Sequence, residues 1–335
     1  MNRRRTVRRV LDTYPSDLPV PIALSADRLT RIGPSMSRLK SAGLFVALSA
    51  LWGFSFPAIT AGLESLPPLL FAAFRYDIGG ALLLGYLVVR GAEWRPKTRS
   101  DRAAIAIAAT FLIAGNSLLF VGQQTVPGGI ASILYGLIPL LTAGFAAALL
   151  PDEPITTRRL LGVALGLIGV AVIARPDPTN LFAAELVGIG FVLVAGASVA
   201  LGSVLLRRLS PTIGIGVLTA WAMLVGGAML HVGSLAIGER FGDITPTLVG
   251  ALSVVYLAVF ASAVAYVIYF VLLEEFGPLE INLVSYVVPV FATVGGIALL
   301  GEELTAGMIA GFVLISGGFF IVKSRVIAEE IGYRF

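Results

Sequence analysis

Ten long apolar stretches are the feature that most constrains the fold of this chain. Most approach or exceed the roughly 20 residues that a helix needs to cross about 30 Å of hydrocarbon. Hydrophobic residues make up 57% and charged residues 13% of the 335 positions, whereas soluble domains average about 45–50% and about 25%. We therefore predict an all-α polytopic membrane protein, which excludes a soluble enzyme, a nucleic-acid-binding module and a disordered regulator. The predicted transmembrane spans are 41–63, 67–89, 103–123, 128–150, 160–174, 185–206, 213–237, 248–273, 279–300 and 304–322.

The basic residues predict the orientation of these spans. Only alternate loops and the two tails are basic, so that 21 Lys and Arg residues fall on one side, two fall on the other, and Arg75 lies within a span. Basic loops stay in the cytoplasm. The sequence therefore predicts a multi-pass protein of the cell (plasma) membrane with both termini cytoplasmic, in agreement with an even number of spans.

A weak internal repeat divides the chain into two halves. A shift of 150 residues aligns Pro139 with Pro289 and Glu153 with Glu303, and a one-residue gap then aligns Gly162 with Gly311. Five spans per half is an odd number, so the second half must enter the membrane from the opposite side, as in many secondary transporters. We predict a disordered basic cytoplasmic tail (1–37), a first five-span repeat (38–175), a second (176–325) and a C-terminal cytoplasmic tail (326–335). Met36, just before the first span, is a second candidate start beside Met1.

Several kinds of chemistry are excluded by composition. The chain has no cysteine and one histidine, His231, which rules out thiolate zinc sites and multi-histidine metal sites. No Walker A pattern is present, so ATP does not drive this chain directly. The sequence predicts no enzyme activity, no cofactor, no metal and no nucleic-acid partner.

The motifs of the spans resemble a known family. Trp52-Gly53 is followed by Phe54-Ser55-Phe56-Pro57 in the first span, Arg75 lies in the second, and each half carries a proline, an apolar run, a glutamate and a glycine-rich helix. This pattern resembles the EamA-like branch of the drug/metabolite transporter (DMT) superfamily over about residues 38–325. The resemblance implies a fold of two inverted five-helix repeats, a central cavity, and transport of small organic metabolites, often outward. Asp77 departs from the pattern and leaves open an added polar role for the second span.

Polar residues at helical spacing are the candidate cavity residues, because a polar side chain facing lipid is costly. Aromatic, amide and hydroxyl groups without a charge cluster suit a small amphipathic or zwitterionic solute. The alternative is that these residues only join helices to one another. The candidates are Trp52, Phe56, Asn116, Phe120, Gln123, Ser132, Tyr135, Ser198, Ser262, Tyr266, Tyr269, Asn282, Ser285 and Tyr286.

Charged and special residues within the spans have two interpretations each. Arg75 and Asp77 are two residues apart and face different sides of a helix, so each needs its own partner. They are candidates for solute binding and proton coupling, or for pairing with neighbouring helices. His231 is read as an interface residue or, less readily, a proton site. Pro139, Glu153, Pro289 and Glu303 are interpreted as structural residues at helix ends, and Gly162 with Gly166 as a helix-packing pattern that also leaves a homodimer open.

The predicted function is secondary transport of small organic metabolites, such as amino acids or related compounds, by alternating access. An exporter or exchanger is favoured, and the partners are the solute, the lipid bilayer and, in one hypothesis, a coupling proton. The alternatives are a lipid or drug flippase, a channel-like protein, or a membrane protein that transports nothing.

Overall fold

The computed structural model describes residues 38–150, 156–174, 183–276, 281 and 283–332. The predicted tail 1–37, Glu153 and Asn282 lie outside these residues. The described helices are labelled α1 to α10 in chain order. They are α1 (Leu39–Leu63), α2 (Pro68–Val89), α3 (Arg99–Gly122), α4 (Gly128–Leu149), α5 (Thr157–Ala174), α6 (Ala184–Leu206), α7 (Ile215–Ala236), α8 (Leu248–Phe276), α9 (Val284–Leu300) and α10 (Ala306–Gly332).

Seven of the described helices, α1 to α4 and α6 to α8, are long and apolar enough to cross a membrane. The apolar parts of α5, α9 and α10 are shorter, at 160–174, 284–300 and 306–322. The protein is therefore a helical membrane protein with seven full-length candidate spans and three shorter apolar helices. The helix α10 continues to Gly332, so residues 326–332 of the predicted C-terminal tail are helical.

Prolines explain two breaks within the helices. Proline has no amide hydrogen to donate to the carbonyl four residues earlier. Pro57 follows the break at Phe54 in α1, and Pro139 follows the turn at 136–137 that separates the two parts of α4. Pro289 lies inside α9 without ending it. Broken helices place backbone groups in the protein interior, as membrane carriers do near their binding sites.

The helices α3 and α8 contain wider turns at equivalent places. Residues Ala108–Ala114 of α3 and Tyr256–Val264 of α8 are π-helical, and a shift of 150 residues places the first range on 258–264, within the second. Insertions of this kind are rare and occur frequently at functional sites. Both segments lie next to the polar cluster described below.

The loops define two ends of the bundle. The loops 90–98 and 207–214 line one shallow cleft at what we name the basic end. At the same end, the indole of Trp221 in α7 donates to the carbonyl of Trp94 at 2.7 Å. The loops 64–67, 123–127 and 237–247, with the turn 301–305, lie at the opposite end, where the hydroxyls of Ser65 and Thr247 are 2.6 Å apart. The charge pattern predicts that the basic end faces the cytoplasm.

Candidate functional site

Arg75 is the most unusual side chain in the bundle, because it is a buried cation within a membrane helix. It is 8% exposed, and its Nε donates to the hydroxyl of Ser262 in α8 at 3.1 Å. Its guanidinium carbon lies 5.1 Å from the ring centroid of Tyr76 and 6.0 Å from that of Phe120. No carboxylate of a described residue lies within ion-pair distance of it. The charge is thus held by one neutral hydrogen bond and two aromatic rings.

Asn116 joins three helices beside Arg75. Its amide nitrogen donates to the hydroxyl of Tyr76 in α2 at 3.1 Å, and its amide oxygen accepts a hydrogen bond of 2.6 Å from the hydroxyl of Tyr135 in α4. The ring of Tyr135 packs edge-on against Phe56 of α1 at 5.8 Å. We refer to this group as the Arg75 cluster. Its members are Phe56, Arg75, Tyr76, Asn116, Phe120, Tyr135 and Ser262.

A cavity of about 500 Å³ lies between the cluster and the basic end. Its aromatic wall consists of Trp52, Tyr266, Tyr269 and Phe270, and the ring centroid of Trp52 lies 5.8 Å from that of Tyr266. Apolar residues of α3 and α7 form much of the rest, and Arg207 lies at the basic end of the cavity. A mostly apolar cavity of this size with a few hydroxyl groups is typical of a small-molecule site.

The cavity and the Arg75 cluster are adjacent along two helices. Ser262, which binds Arg75, precedes the cavity residue Tyr266 by four positions on α8. Asn116 follows the cavity residue Ile113 by three positions on α3. One helical turn of about 5.4 Å therefore separates the end of the cavity from the polar groups of the cluster.

The structure distributes the predicted cavity residues over three places. Trp52, Tyr266 and Tyr269 line the cavity, and Phe56, Asn116, Phe120, Tyr135 and Ser262 belong to the Arg75 cluster. The remaining described residues lie outside both groups. Gln123 donates to the carbonyl of Phe56, Ser132 to that of Gly129, Ser198 to that of Phe111, and Tyr286 packs against Phe319, while Ser285 is half-buried on α9.

Asp77 and His231 form a separate pair on the outside of the cluster. The Nε2 atom of His231 in α7 lies 2.7 Å from Oδ2 of Asp77 in α2. Phe74 and Phe241 pack against the imidazole. Arg75 and Asp77 thus have different partners, as their spacing requires, and the one histidine of the chain is bound to the one carboxylate within α2.

Carboxylates at the helix ends join the first half of the chain to the second. Asp101, which is fully buried, accepts hydrogen bonds from the amides of Lys97, Thr98, Thr212 and Ile213. At the opposite end, the carboxylate of Glu239 accepts hydrogen bonds from the amides of Leu69 and Leu70 at the start of α2.

Glu302 makes a third contact of this kind. Its carboxylate accepts hydrogen bonds of 2.8 and 3.0 Å from the amides of Gly128 and Gly129, which begin α4. A carboxylate at a helix N-terminus is favourable because free amides and the helix dipole point toward it. The residue that makes this contact is Glu302 and not the neighbouring Glu303, which is exposed.

Sequence reasoning missed Tyr76 and the three helix-capping carboxylates. Tyr76 lies between Arg75 and Asp77, and these two charged residues drew attention to the segment. Nothing in the sequence indicated that the hydroxyl of Tyr76 accepts a hydrogen bond from Asn116. Thr98-Arg99-Ser100-Asp101 has the spacing of a capping box, and the structure forms that box. That motif was a usable signal for Asp101.

Two segments of the chain, 39–175 and 186–324, each match the model of the EamA-like transporter family. The chain belongs to this family. The resemblance inferred from Trp52-Gly53, Arg75 and the paired proline and glutamate motifs is thereby confirmed.

Curated relatives of this EamA-like transporter carry transporter names. An uncharacterized inner membrane transporter of Escherichia coli, YedA, is 34% identical over 266 residues, which cover 78% of this chain and 84% of that protein. A probable amino-acid metabolite efflux pump of Salmonella typhimurium is 29% identical over 295 residues, covering 85% and 95%. One crystal structure aligns with a TM-score of 0.58 at 21% identity, covering 85% of this chain and 98% of the other, which shows a shared fold.

Proposed function

We propose that this EamA-like transporter is a secondary carrier that exports or exchanges small organic metabolites, such as amino acids or related compounds, by alternating access. In this proposal the seven long and three shorter apolar helices are ten spans, arranged as two inverted five-span repeats with both termini in the cytoplasm. The observation that carries the proposal is an open cavity at one end of the bundle, together with the burial of Arg75 and Phe120, which are the repeat-related counterparts of two cavity residues. The name of the Salmonella relative supports the class of solute.

Reciprocal contacts support the inverted repeat. A Cβ added to Gly80 of α2 would meet the carbonyl oxygen of Ala220 in α7, and one added to Gly227 would meet that of Ala73. Ala73 and Gly80 precede Ala220 and Gly227 by the same 147 residues. A pseudo-two-fold axis between the repeats produces such an exchange of partners.

The same equivalences relate the cavity to the Arg75 cluster. A shift of 147 residues relates Arg75 to Ala222, and a shift of 150 relates Asn116 to Tyr266 and Phe120 to Phe270. Ala222, Tyr266 and Phe270 line the open cavity, whereas Arg75 and Phe120 are buried. We infer that this conformation opens toward the cytoplasm, and that the alternate conformation opens the Arg75 half.

Counterflow in proteoliposomes tests the carrier. Vesicles are loaded with a mixed pool of unlabelled amino acids, nucleobases and sugars, and labelled members are added outside one at a time, with and without a pH gradient. Accumulation of a label is expected for a carrier, and dependence on the gradient would implicate Asp77 and His231 as the proton site. Folded protein that accumulates none of these labels would favour a flippase, a channel or a protein without transport activity.

Filling the cavity is expected to stop transport. Thr219→Trp places a large ring into the cavity that Thr219 lines, and counterflow should fall at least about tenfold because the solute and the indole compete for one volume of this size. The matched control is Val225→Trp, six residues later on α7, where the side chain is 37% exposed on the outside of the bundle. Equal counterflow in both variants, in folded protein, would remove the cavity from the proposed path.

Weakening the closed opposite end is expected to favour the alternate conformation. Glu302→Gln replaces one of two acceptor oxygens by a donor that faces an amide of Gly128 or Gly129. The lost hydrogen bond corresponds to about 1 kcal/mol. Because the chain has no cysteine, a cysteine in place of the buried Ser132 reports on opening. A membrane-impermeant maleimide added outside should label it about three- to tenfold faster in Glu302→Gln.

The neighbouring residue supplies the control for this labelling experiment. Glu303 is exposed, so Glu303→Gln removes the same charge from the same turn but leaves both acceptors of the Gly128 and Gly129 amides in place. Labelling that is equally fast in both glutamine variants would attribute the effect to charge alone. Labelling unchanged from the parent in Glu302→Gln would mean that this contact does not restrain opening.

A further inference from the structure

Arg75 has hydrogen-bonding capacity that the protein does not use. A guanidinium carries five N–H donors in a planar fork, and the described contacts of Arg75 consist of one hydrogen bond through Nε and two aromatic rings. The nearest carboxylate in sequence, Asp77, is paired with His231 instead. A residue that is 8% exposed thus keeps its two terminal nitrogens without a protein acceptor among the described residues.

An unneutralised cation inside a membrane protein is costly, and such residues generally line solute or ion pathways. The fork of an arginine matches a carboxylate or a phosphate group with two parallel hydrogen bonds. The cluster contains one cation and no second basic side chain, so its charge balances a single negative charge. A monocarboxylate fits this balance, and a doubly charged phosphate does not.

The surroundings define the rest of the solute. The cavity that ends one turn from Ser262 and Asn116 is lined mostly by aromatic and aliphatic side chains, and its few polar ones include Ser203, Thr219 and, at the far basic end, Arg207. A compact apolar group would lie against Trp52 and Tyr266 while its carboxylate extends toward Arg75. The amide of Asn116 is already held between Tyr76 and Tyr135, so it keeps the end of the path rigid.

We propose that Arg75 is the anion-binding residue of the transport site and that the solute is a monocarboxylate with a compact apolar remainder. This inference rests on the proposed function, because it assigns the solute of the same carrier. An amino acid and a simple carboxylic acid share the group that Arg75 would bind. The experiment therefore distinguishes these two sources.

Three probe compounds of one skeleton separate the possibilities. Leucine carries an amine and a carboxylate, 4-methylpentanoate only the carboxylate, and leucinamide only the amine. Each is added to the purified full chain in lipid nanodiscs, and its half-saturating concentration is measured from the rise in melting temperature. Leucine or 4-methylpentanoate should saturate at a concentration at least about tenfold lower than leucinamide, since only they make a charge-assisted pair. Equal or tighter binding of leucinamide, or no response to either carboxylate, overturns the inference.

Variants of Arg75 connect the preference to the residue. Arg75→Gln should abolish the difference between 4-methylpentanoate and leucinamide, and Arg75→Lys should restore part of it. Arg95→Gln, in the exposed loop of the basic end, is the charge-matched control and should keep the full difference. If Arg75→Gln does not fold, the wild-type comparison of the three probes still decides the outcome. A folded Arg75→Gln that keeps the preference overturns the assignment.

Counterflow of the same probes separates this inference from the proposed function. A wild-type protein that exchanges leucinamide as well as 4-methylpentanoate is a carrier without the assigned anion site. A protein that binds the carboxylates through Arg75 but exchanges none of the probes would support the anion site and contradict the proposed carrier function.

Discussion

Replacing Asp101 with alanine is expected to shift the folding equilibrium toward the unfolded state by about a hundredfold. Its carboxylate is fully buried and accepts hydrogen bonds from four backbone amides and from the hydroxyl of Thr212. Alanine would leave these donors without an acceptor, and each buried unsatisfied donor costs about 1–3 kcal/mol. The contact also joins the start of α3 to the segment leading into α7, so its loss loosens two halves of the bundle together.

The measurement is the free energy of reversible unfolding in mixed micelles, with a thermal unfolding midpoint as a second reading. Asp243→Ala is the matched control, because Asp243 also accepts a backbone amide three residues earlier, from Arg240, but in an exposed turn. That variant should lie within about 0.5 kcal/mol of wild type. An Asp101→Ala protein as stable as Asp243→Ala would mean that water takes over the acceptor role at the basic end.

Hydropathy predicted the helices well because the bilayer imposes a length and a composition on any span. The observed α2, α4 and α6 begin and end within a residue or two of the predicted spans. The helix α3 begins earlier, at Arg99, because a capping box formed by Thr98 and Asp101 starts the helix in a polar segment that a hydropathy window rejects. A helix cap depends on individual side chains, and a hydropathy average over many residues does not retain their signal.

The site was only partly predictable, because a polar residue in a span has more than one way to satisfy its hydrogen bonds. Ser132 and Asn116 look alike as polar positions, yet the hydroxyl of Ser132 is used by its own helix and the amide of Asn116 joins α2 and α4. Serine can bond to a carbonyl one turn earlier, whereas a primary amide reaches other helices. The apolar wall, such as Leu112 and Ala222, carries no signal at all, since lipid-facing and cavity-facing aliphatic residues have the same composition.

The capping carboxylates show a further limit of sequence reasoning. Glu302 and Glu303 are adjacent acids in one turn, and the repeat alignment pointed to Glu303 through its match with Glu153. Only Glu302 reaches the amides of Gly128 and Gly129. Which of the two glutamates reaches the amides depends on the direction that the backbone takes after Gly301, whose φ is positive. A pattern of residue types does not contain this direction.

Adding one methyl group to Gly318 is expected to destabilise the protein by about 1–3 kcal/mol, whereas adding it to the neighbouring Gly317 is expected to be neutral or stabilising. The helices α5 and α10 pack through paired glycines. A Cβ on Gly318 would lie 2.5 Å from the carbonyl oxygen of Gly162, and one on Gly311 would lie 2.9 Å from that of Gly169. Real Cβ atoms essentially never come so close to a carbonyl oxygen, so Gly318→Ala must push the two helix backbones apart.

The adjacent position separates this steric effect from helix propensity. A Cβ on Gly317 meets only Leu165 at 3.6 Å, which is ordinary contact, and alanine in a helix is favoured over glycine by up to about 1 kcal/mol. Gly318→Ala should therefore lower the free energy of unfolding while Gly317→Ala leaves it unchanged or raises it, and the same measurement in mixed micelles distinguishes the two. Gly162 and Gly169 of α5 face Gly318 and Gly311 of α10 within one chain, which leaves these faces unavailable to a second copy. Gly318→Ala as stable as Gly317→Ala would mean that α5 and α10 are further apart in the membrane.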